Sequence, residues 1–220
     1  MLYGIKINGA DTLATYGLCV LADLKVMAPE LKDEYLDIPG ADGSLNMSCA
    51  ISGEPVYKDR EISGTLFRKV DDVALDQLRM TLLNAYHGRE VTVHLPTDAS
   101  HYFRGVLQFG DLTGYNSGQI PFSARVNPWR YKNAVTTVTR DDLTANYKTL
   151  TLTNERRSVV PTITVTEETT LLWGTATYTI SAGTYKLPDI VLVQGSNTLK
   201  AKLTTAASGS ITIEYQEASL

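Results

Sequence analysis

The chain has 220 residues, with 20 Lys or Arg against 24 Asp or Glu and a formal net charge of -4, and it lacks the basic patch by which proteins hold nucleic acid. No apolar run approaches the roughly 20 residues that a membrane-spanning helix needs, and the first residues lack the order of a signal peptide. We therefore expect a soluble protein made in the cytoplasm, with no membrane contact and no specific nucleic-acid binding.

The first part of the chain is predicted to form short strands joined by turns. Residues 2–8 alternate between two faces and end at the turn dipeptide Asn8-Gly9, which indicates a strand and a tight turn. A second strand is predicted over residues 15–21. Residues 23–37 carry more charge, and they form either an exposed excursion or an ordinary long hairpin arm.

Residues 37–48 hold two consecutive turn signals, Pro39-Gly40 and Asp42-Gly43, and lead into a strand. The two cysteines, Cys19 and Cys49, stand among apolar or small residues. This setting favours buried free thiols over a disulfide.

One helix is predicted, over residues 71–87. Asp71 or Asp72 can cap its start, where a carboxylate also suits the helix dipole. Gly88 supplies the left-handed residue that ends a helix. Its apolar stripe follows the spacing of one helix face: Leu75, Leu78, Leu82 and Tyr86. Further strands are predicted over residues 61–69, 90–95, 102–109 and 119–126.

The last of these strands marks the end of a first domain. Its alternation stops at Asn127-Pro128, because proline donates no ladder hydrogen bond and restricts the residue before it. Pro121, inside the strand, argues for an edge strand or a bulge. We predict two domains, residues 1–130 with net charge -4 and residues 131–220 with none. The predicted junction consists of Asn127, Pro128, Trp129, Arg130 and Tyr131, and we expect Trp129 to be buried there.

The second half contains no helix signal, and Thr occupies 20 of its 90 positions. A β-branched residue with a hydroxyl suits a half-solvated strand. Seven short strands at this spacing predict a β-sandwich. They are expected at residues 147–153, 159–166, 170–173, 175–180, 189–193, 198–204 and 211–216.

The sequence shows no convincing catalytic or cofactor site. His94 and His101, with Asp98 between them, are too loosely spaced for a metal site, and surface histidines are the expected alternative. No elbow motif positions a serine nucleophile, and the G-A-D-G at residues 40–43 lacks the lysine and helix of a phosphate loop. We therefore predict that the protein is not an enzyme and binds no cofactor.

Three aromatic residues are the candidates for ligand binding: Trp129, Tyr131 and Trp173. Aromatic rings stack on sugars, and β-sandwiches often carry such sites. The alternative, which we favour, is that Trp129 and Tyr131 pack at the domain junction and that Trp173 fills the second core.

In the order and spacing of its segments, nearly the whole chain resembles the distal tail proteins of long-tailed, non-contractile bacteriophages. The segments are Y-G-I-K-I-N-G, D-I-P-G-A-D-G, H-G-R-E-V-T-V, P-F-S-A-R-V-N-P-W-R-Y-K, N-E-R-R-S-V-V-P-T-I-T-V, V-L-V-Q-G-S-N-T-L-K-A-K-L-T and G-S-I-T-I-E-Y-Q-E-A-S-L. The resemblance implies a mainly β protein with a ring-forming N-terminal β-sandwich that has one α-helix, and a galectin-like C-terminal β-sandwich. Because the excursion at residues 23–37 is short, the elaborate arm or inserted carbohydrate-binding module of some relatives is not expected.

The same resemblance implies a virion protein of the tail tip, made in the host cytoplasm. It would form a homohexameric ring below the tail tube protein and above the tail-associated hub protein, with a channel for DNA. Receptor-binding or accessory proteins would dock on the C-terminal domain. An acidic first domain is consistent with a channel wall that repels DNA.

Three other functions remain open at this point. A carbohydrate-binding, lectin-like protein for host-surface attachment would explain the sandwich and its aromatic residues, but a secreted one predicts a signal peptide. A tail tube protein would not be expected to carry a second sandwich. A glycosidase needs a pair of carboxylates in one cleft, and no pair stands out.

Overall fold

The computed structural model describes residues 2–50, 53–112 and 117–220. Within them the chain is mainly β, which confirms the expected fold class, and it divides into two compact units, Met1–Arg130 and Tyr131–Leu220. The elements up to residue 126 are β1 (Lys6–Ile7), β2 (Ala10–Asp11), α1 (Thr12–Tyr16), β3 (Cys19–Val20), β4 (Lys25–Val26), β5 (Tyr35–Asp37), β6 (Ser44–Asn46), β7 (Arg60–Phe67), α2 (Asp72–Tyr86), β8 (Glu90–His94), β9 (His101–Phe109) and β10 (Gln119–Val126). The remaining elements are β11 (Arg130–Lys132), β12 (Thr136–Leu143), β13 (Lys148–Asn154), β14 (Thr162–Val165), β15 (Thr169–Trp173), β16 (Ala176–Ile180), β17 (Gly183–Tyr185), β18 (Gly195–Leu203), β19 (Gly209–Tyr215) and β20 (Ala218–Ser219).

The first unit is built on one antiparallel sheet in the strand order β2-β1-β8-β9-β10-β7-β3, with β4 also paired to β7. One face of this sheet is apolar, and α2 packs on the same core through Leu75 and Leu82. Neither of those two leucines is more than 3% exposed, so the helix covers the part of the sheet that water would otherwise reach.

The helix α2 confirms the prediction from its apolar stripe. The Asp71 side chain accepts the Ala74 N–H at 2.9 Å, which identifies Asp71 rather than Asp72 as the cap. The helix ends at Tyr86, and Gly88 has a φ of 69°, the left-handed geometry expected after a helix end.

The inference from Pro121 was wrong, because β10 is a central strand paired with both β7 and β9. The Pro121 carbonyl accepts the Gly110 N–H at 2.8 Å, so it points to the β9 side. The N–H and C=O of one residue point to the same side of a strand. The missing Pro121 donor therefore faces the Gly110 carbonyl, and the Arg79 guanidinium donates to that carbonyl at 3.2 Å in its place.

Two local predictions near the N-terminus also need correction. Residues 15–21 contain the end of a second helix, α1, in place of a continuous strand. The Asp11 side chain accepts the N–H groups of Leu13 and Ala14, and Gly17 ends the helix in the left-handed conformation. Five residues are too few to show a helical period in the sequence. Cys19 is buried as expected, but Cys49 is exposed.

The second unit consists of two four-stranded antiparallel sheets, β12-β19-β14-β17 and β13-β18-β15-β16, which enclose one core. Residues 189–193 do not form the predicted strand. Ile190 and Leu192 are buried there, but only a single bridge joins Leu192 to Val159. The strands β12 and β17 were not predicted. Strand β12 carries Arg140-Asp141-Asp142 and contains an irregularity in its register, and β17 has only three residues.

The Thr bias is explained by the outward faces of these sheets. In the first sheet four threonines lie in one row across four strands: Thr139, Thr212, Thr164 and Thr184. Adjacent hydroxyls at the two ends of the row lie 3.3 and 3.0 Å apart. The row places methyl groups and hydroxyls on a half-solvated pleat, as the β propensity of Thr favours.

Candidate interaction surface

The predicted junction residues that belong to the first unit are each held by a neighbour within it. The Asn127 N–H donates to the Arg104 carbonyl at 2.9 Å. Trp129 is half-buried and meets the ring of Tyr57 edge-on, with 5.8 Å between ring centroids. Arg130 lies 3.3 Å from Asp98. A role of these residues in joining the two domains stays a prediction.

Asp98 organises the loop between β8 and β9. Its carboxylate accepts the Ser100 N–H at 3.0 Å and the Ser100 hydroxyl at 2.7 Å, and it lies 3.1 Å from His101 Nδ1. Burial alone would raise the pKa of Asp98, but these hydrogen bonds and the nearby imidazole outweigh it and lower that pKa to about 2. The carboxylate is thus held ionised by the loop and by Arg130.

This geometry does not support a metal site formed by His94, Asp98 and His101. The His94 ring packs near Tyr102, with 5.7 Å between centroids, while Asp98 and His101 belong to the loop network. In the part of the chain that the structure describes, no three His, Cys, Asp or Glu side chains are grouped to hold a metal ion.

Sequence analysis missed Arg60, which lies at the start of β7 and is only 7% exposed. Its guanidinium stacks 4.5 Å from the Phe103 ring centre, and its Nε and Nη2 have no hydrogen-bond partner. Burial, and then the charge of Arg130, lower the pKa of Arg60 to about 10. The sequence could have indicated that Arg60 is buried, because it lies two residues before Ile62 and therefore on the same, inward face of the strand.

The aromatic residues of the second unit are also engaged in packing. The Arg157 guanidinium lies 5.5 Å from the Tyr131 ring centre. Trp173 packs against the second core, as expected. Trp129, Tyr131 and Trp173 thus each contact a neighbour within their own unit.

A buried carboxylate, also missed in the sequence, ties the end of the chain to the start of the second unit. Glu217 is 5% exposed and lies 2.8 Å from Lys132 Nζ, and Thr136 donates its hydroxyl to the same carboxylate. The Lys132 N–H donates to the Glu217 carbonyl at 3.1 Å. Burial would raise the pKa of Glu217, but Lys132 and Thr136 outweigh it and lower that pKa.

The most prominent feature of the first unit is a long hairpin, described at residues 27–50 and 53–59, which we call the arm. A bridge pairs Leu31 with Tyr57 near its base, and β5 and β6 pair Leu36 with Leu45 farther out. The sequence left open whether this region was an excursion or a hairpin arm. The structure shows a hairpin that continues far beyond residue 37, so the expectation of a short excursion was wrong.

The arm exposes its large apolar side chains instead of burying them on its own domain. Leu36 is 55% exposed and Leu45 is 49% exposed. Among the described residues of the arm, the large apolar side chains with more than a third of their surface in water are Met27, Leu31, Tyr35, Leu36, Ile38, Leu45, Met47 and Val56. Exposed apolar surface concentrated on one element marks an interaction site.

No helix in the described parts of the chain is long and apolar enough to cross a membrane. No protein-family model matches the sequence, and no curated protein matches it. Among solved structures the chain is similar to SPP1 Dit (gp 19.1), described as a paradigm of the hub adsorption apparatus in phages that infect Gram-positive bacteria. The alignment covers 100% of both chains, with a TM-score of 0.66 and 16% sequence identity. The comparison confirms, at the level of the fold, the resemblance to the phage distal tail proteins that the sequence indicated.

Proposed function

We propose that the chain is a structural protein of a bacteriophage tail tip, a distal tail protein that forms a homohexameric ring. The observation that carries this proposal is the fold, which matches a phage hub protein over the whole of both chains. Identity of 16% supports the fold alone, so the assembly has to be argued from the surface of this chain.

The arm supports self-assembly. A two-stranded hairpin is marginally stable alone in water, and the described residues of this one place eight large apolar side chains in solvent. A second copy of the chain can cover that surface in a head-to-tail contact, and such contacts close into rings when the rotation permits.

In this assembly the ring joins the tail tube protein above to the tail-associated hub protein below, and leaves a channel for DNA. The net charge of -4 on residues 1–130 suits a channel that DNA passes without binding. The galectin-like second unit carries receptor-binding or accessory proteins. The protein acts in the virion as a scaffold, with no catalytic role and no cofactor.

The test is the mass of the purified protein in solution, measured by light scattering over a range of concentrations. We expect a species of six times the 24.1 kDa chain mass. The double variant Leu36→Ser and Leu45→Ser should weaken this association roughly tenfold or more, because it removes two exposed apolar side chains from the arm.

The matched control is Val135→Ser with Val193→Ser, two side chains of similar exposure on the second unit, at 52% and 49%. These changes should leave the assembly mass unchanged. Equal weakening by both double variants would contradict a specific role of the arm. A wild-type protein that stays monomeric at every concentration, alone and with its tail partners, would contradict the ring.

A further inference from the structure

A groove of about 770 Å³ lies beside the root of the arm. One wall is the arm base, with Lys32 and Lys58, and the other is the outward face of β9 and β10, with Val106, Ser123 and Arg125. We call it the base groove. Small-molecule pockets are mostly apolar and bury most of their ligand, whereas this groove is open and lined mainly by polar and charged side chains. Its form suits an extended polypeptide.

The cations of the base groove are available to an incoming partner. Lys58 lies 3.4 Å from Glu30, and Arg125 lies 3.0 Å from Asp59. All four side chains in these two pairs are more than 40% exposed, so the pairs are weak and exchangeable. Each cation can turn to a carboxylate from another chain at little cost.

The lining of the base groove also holds Glu61 beside Glu30 and Asp59, so its four cations exceed its carboxylates by one. The outer part of the arm is strongly acidic. Residues 33–50 and 53–57, which we call the arm tip, contain no Lys or Arg. They hold five carboxylates: Asp33, Glu34, Asp37, Asp42 and Glu54. The tip also exposes Leu36 and Leu45, and the groove exposes Val106 at 38% and Met27 at 37%. Opposite charges around a shared apolar contact are what a specific interface needs.

Within one chain, no described residue of the arm tip lines the base groove. From the bridge between Leu31 and Tyr57 to the turn at residues 38–41, the hairpin spans about eight residues, or about 25 Å at the rise of a strand. The groove lies at the opposite end of that span. A second copy must supply the tip, which makes the contact heterologous.

We propose that the acidic arm tip of one copy binds in the base groove of the next, so that each arm contacts the root of its neighbour's arm around the ring. The inference rests on the proposed ring. It adds which surfaces of neighbouring copies meet and which charges make that contact specific. The occupant is therefore a second copy of this chain, recognised by its carboxylates and by the Leu36 and Leu45 pair.

A charge exchange between copies tests the contact. The groove variant carries Lys58→Glu and Arg125→Glu, which changes the net charge of the groove lining from +1 to -3. The tip variant carries Asp33→Lys, Glu34→Lys and Asp42→Lys, which changes the net charge of the tip from -5 to +1. Each variant alone should associate roughly tenfold or more weakly than wild type, because like charges now meet at every contact. An equimolar mixture should recover assembly, because alternating copies in an even-numbered ring pair every tip with a groove of opposite sign.

The control is Lys186→Glu with Lys200→Glu, which makes the same charge change at exposed sites of the second unit and should leave assembly at the wild-type level. If both variants fold as wild type by circular dichroism and the mixture associates no better than either one, the proposed contact is wrong. Weakening by the control equal to that of the groove variant would also overturn it, since net charge would then explain the effect.

Cross-linking separates this inference from the ring itself. In a Cys49→Ser background, one copy carries Ala41→Cys at the arm turn and the other carries Val106→Cys in the groove. Cys19 is buried and does not compete. A short bismaleimide should join the two introduced thiols between copies, even if the wild type fails to reach hexamer mass. A ring without this product, or a product joining two arm turns, would overturn the inference while leaving the ring intact.

Discussion

Arg60 carries a charge that its surroundings do not neutralise. Its guanidinium stacks on Phe103, and two of its nitrogens lack hydrogen-bond partners. A buried charge without hydrogen-bonded partners costs stability, and an apolar replacement of similar volume is often neutral or stabilising. Replacing Arg60 with Met keeps the contact with the ring. We expect Arg60→Met to raise the free energy of unfolding by about 1–2 kcal/mol, measured by urea denaturation.

Arg89→Met is the control for this substitution, because Arg89 is exposed and lies outside the proposed contact between copies. Its effect on stability should stay within about 0.5 kcal/mol. A loss of stability in Arg60→Met would show that the guanidinium makes a favourable interaction that the geometry does not reveal.

Glu217 gives the second unit a dependence on pH. Its pKa in the folded protein lies below the ordinary 4.5, so the stability from its pairing is fully present above pH 4.5 and is lost as the pH falls through the folded value. We expect Glu217→Gln to cost about 2 kcal/mol at pH 7, because it removes charged hydrogen bonds to Lys132 and Thr136. Below pH 4.5 the difference between variant and wild type should shrink.

Denaturation at pH 7 and at pH 3.5 checks this prediction, with Glu214→Gln as the control. Glu214 lies in β19 on the exposed face, so its variant should match wild type at both values. A Glu217→Gln deficit that is the same at both pH values would show that size and shape, not charge, explain the loss.

At the scale of single elements, α2 depends on its cap. The Asp71 carboxylate satisfies the Ala74 N–H, which otherwise has no partner within the helix. Asp71→Ala should lower the free energy of unfolding by about 1 kcal/mol. Asp72→Ala should cost less, about 0.3–0.5 kcal/mol, since Asp72 acts on the helix through the dipole. Equal losses, measured by thermal denaturation, would contradict the assignment of Asp71 as the cap.

The elements that sequence reasoning predicted well have a long and uninterrupted period. The helix α2 spans four turns with an apolar stripe, and β10 alternates over all eight of its residues. The helix α1 and the three-residue strand β17 are too short to establish a period. The failure at Pro121 has a different cause, because Arg79, a residue distant in sequence, supplies the hydrogen bond that the proline cannot donate.

The candidate surface was less predictable than the fold. The sequence marked Trp129 and Arg130 because composition changes there, but the partners Tyr57 and Asp98 lie far away along the chain. Nothing local distinguishes Arg60 from a surface arginine until the inward phase of β7 is known. The arm was underestimated because residues 37–48 were interpreted as turns leading into a strand, and nothing local indicates that residues 35–37 pair with residues 44–46.

At the scale of the whole molecule, the two units differ in what they offer to other proteins. The first carries the acidic balance, the arm and the base groove, and the second presents Thr-rich sheet faces with no net charge. Salt should therefore weaken contacts made by the first unit and have little effect on those made by the second.

The position of the base groove at the root of the arm determines whether the two faces of the proposed ring are alike. Because each copy offers a tip at one end of the arm and a groove at the other, a closed ring of such contacts has cyclic symmetry without a two-fold axis across its plane. Its upper and lower faces are then chemically different. A polar ring of this kind can stack on a tail tube in one orientation only, so the arm that closes the ring would also determine which way the tail is built.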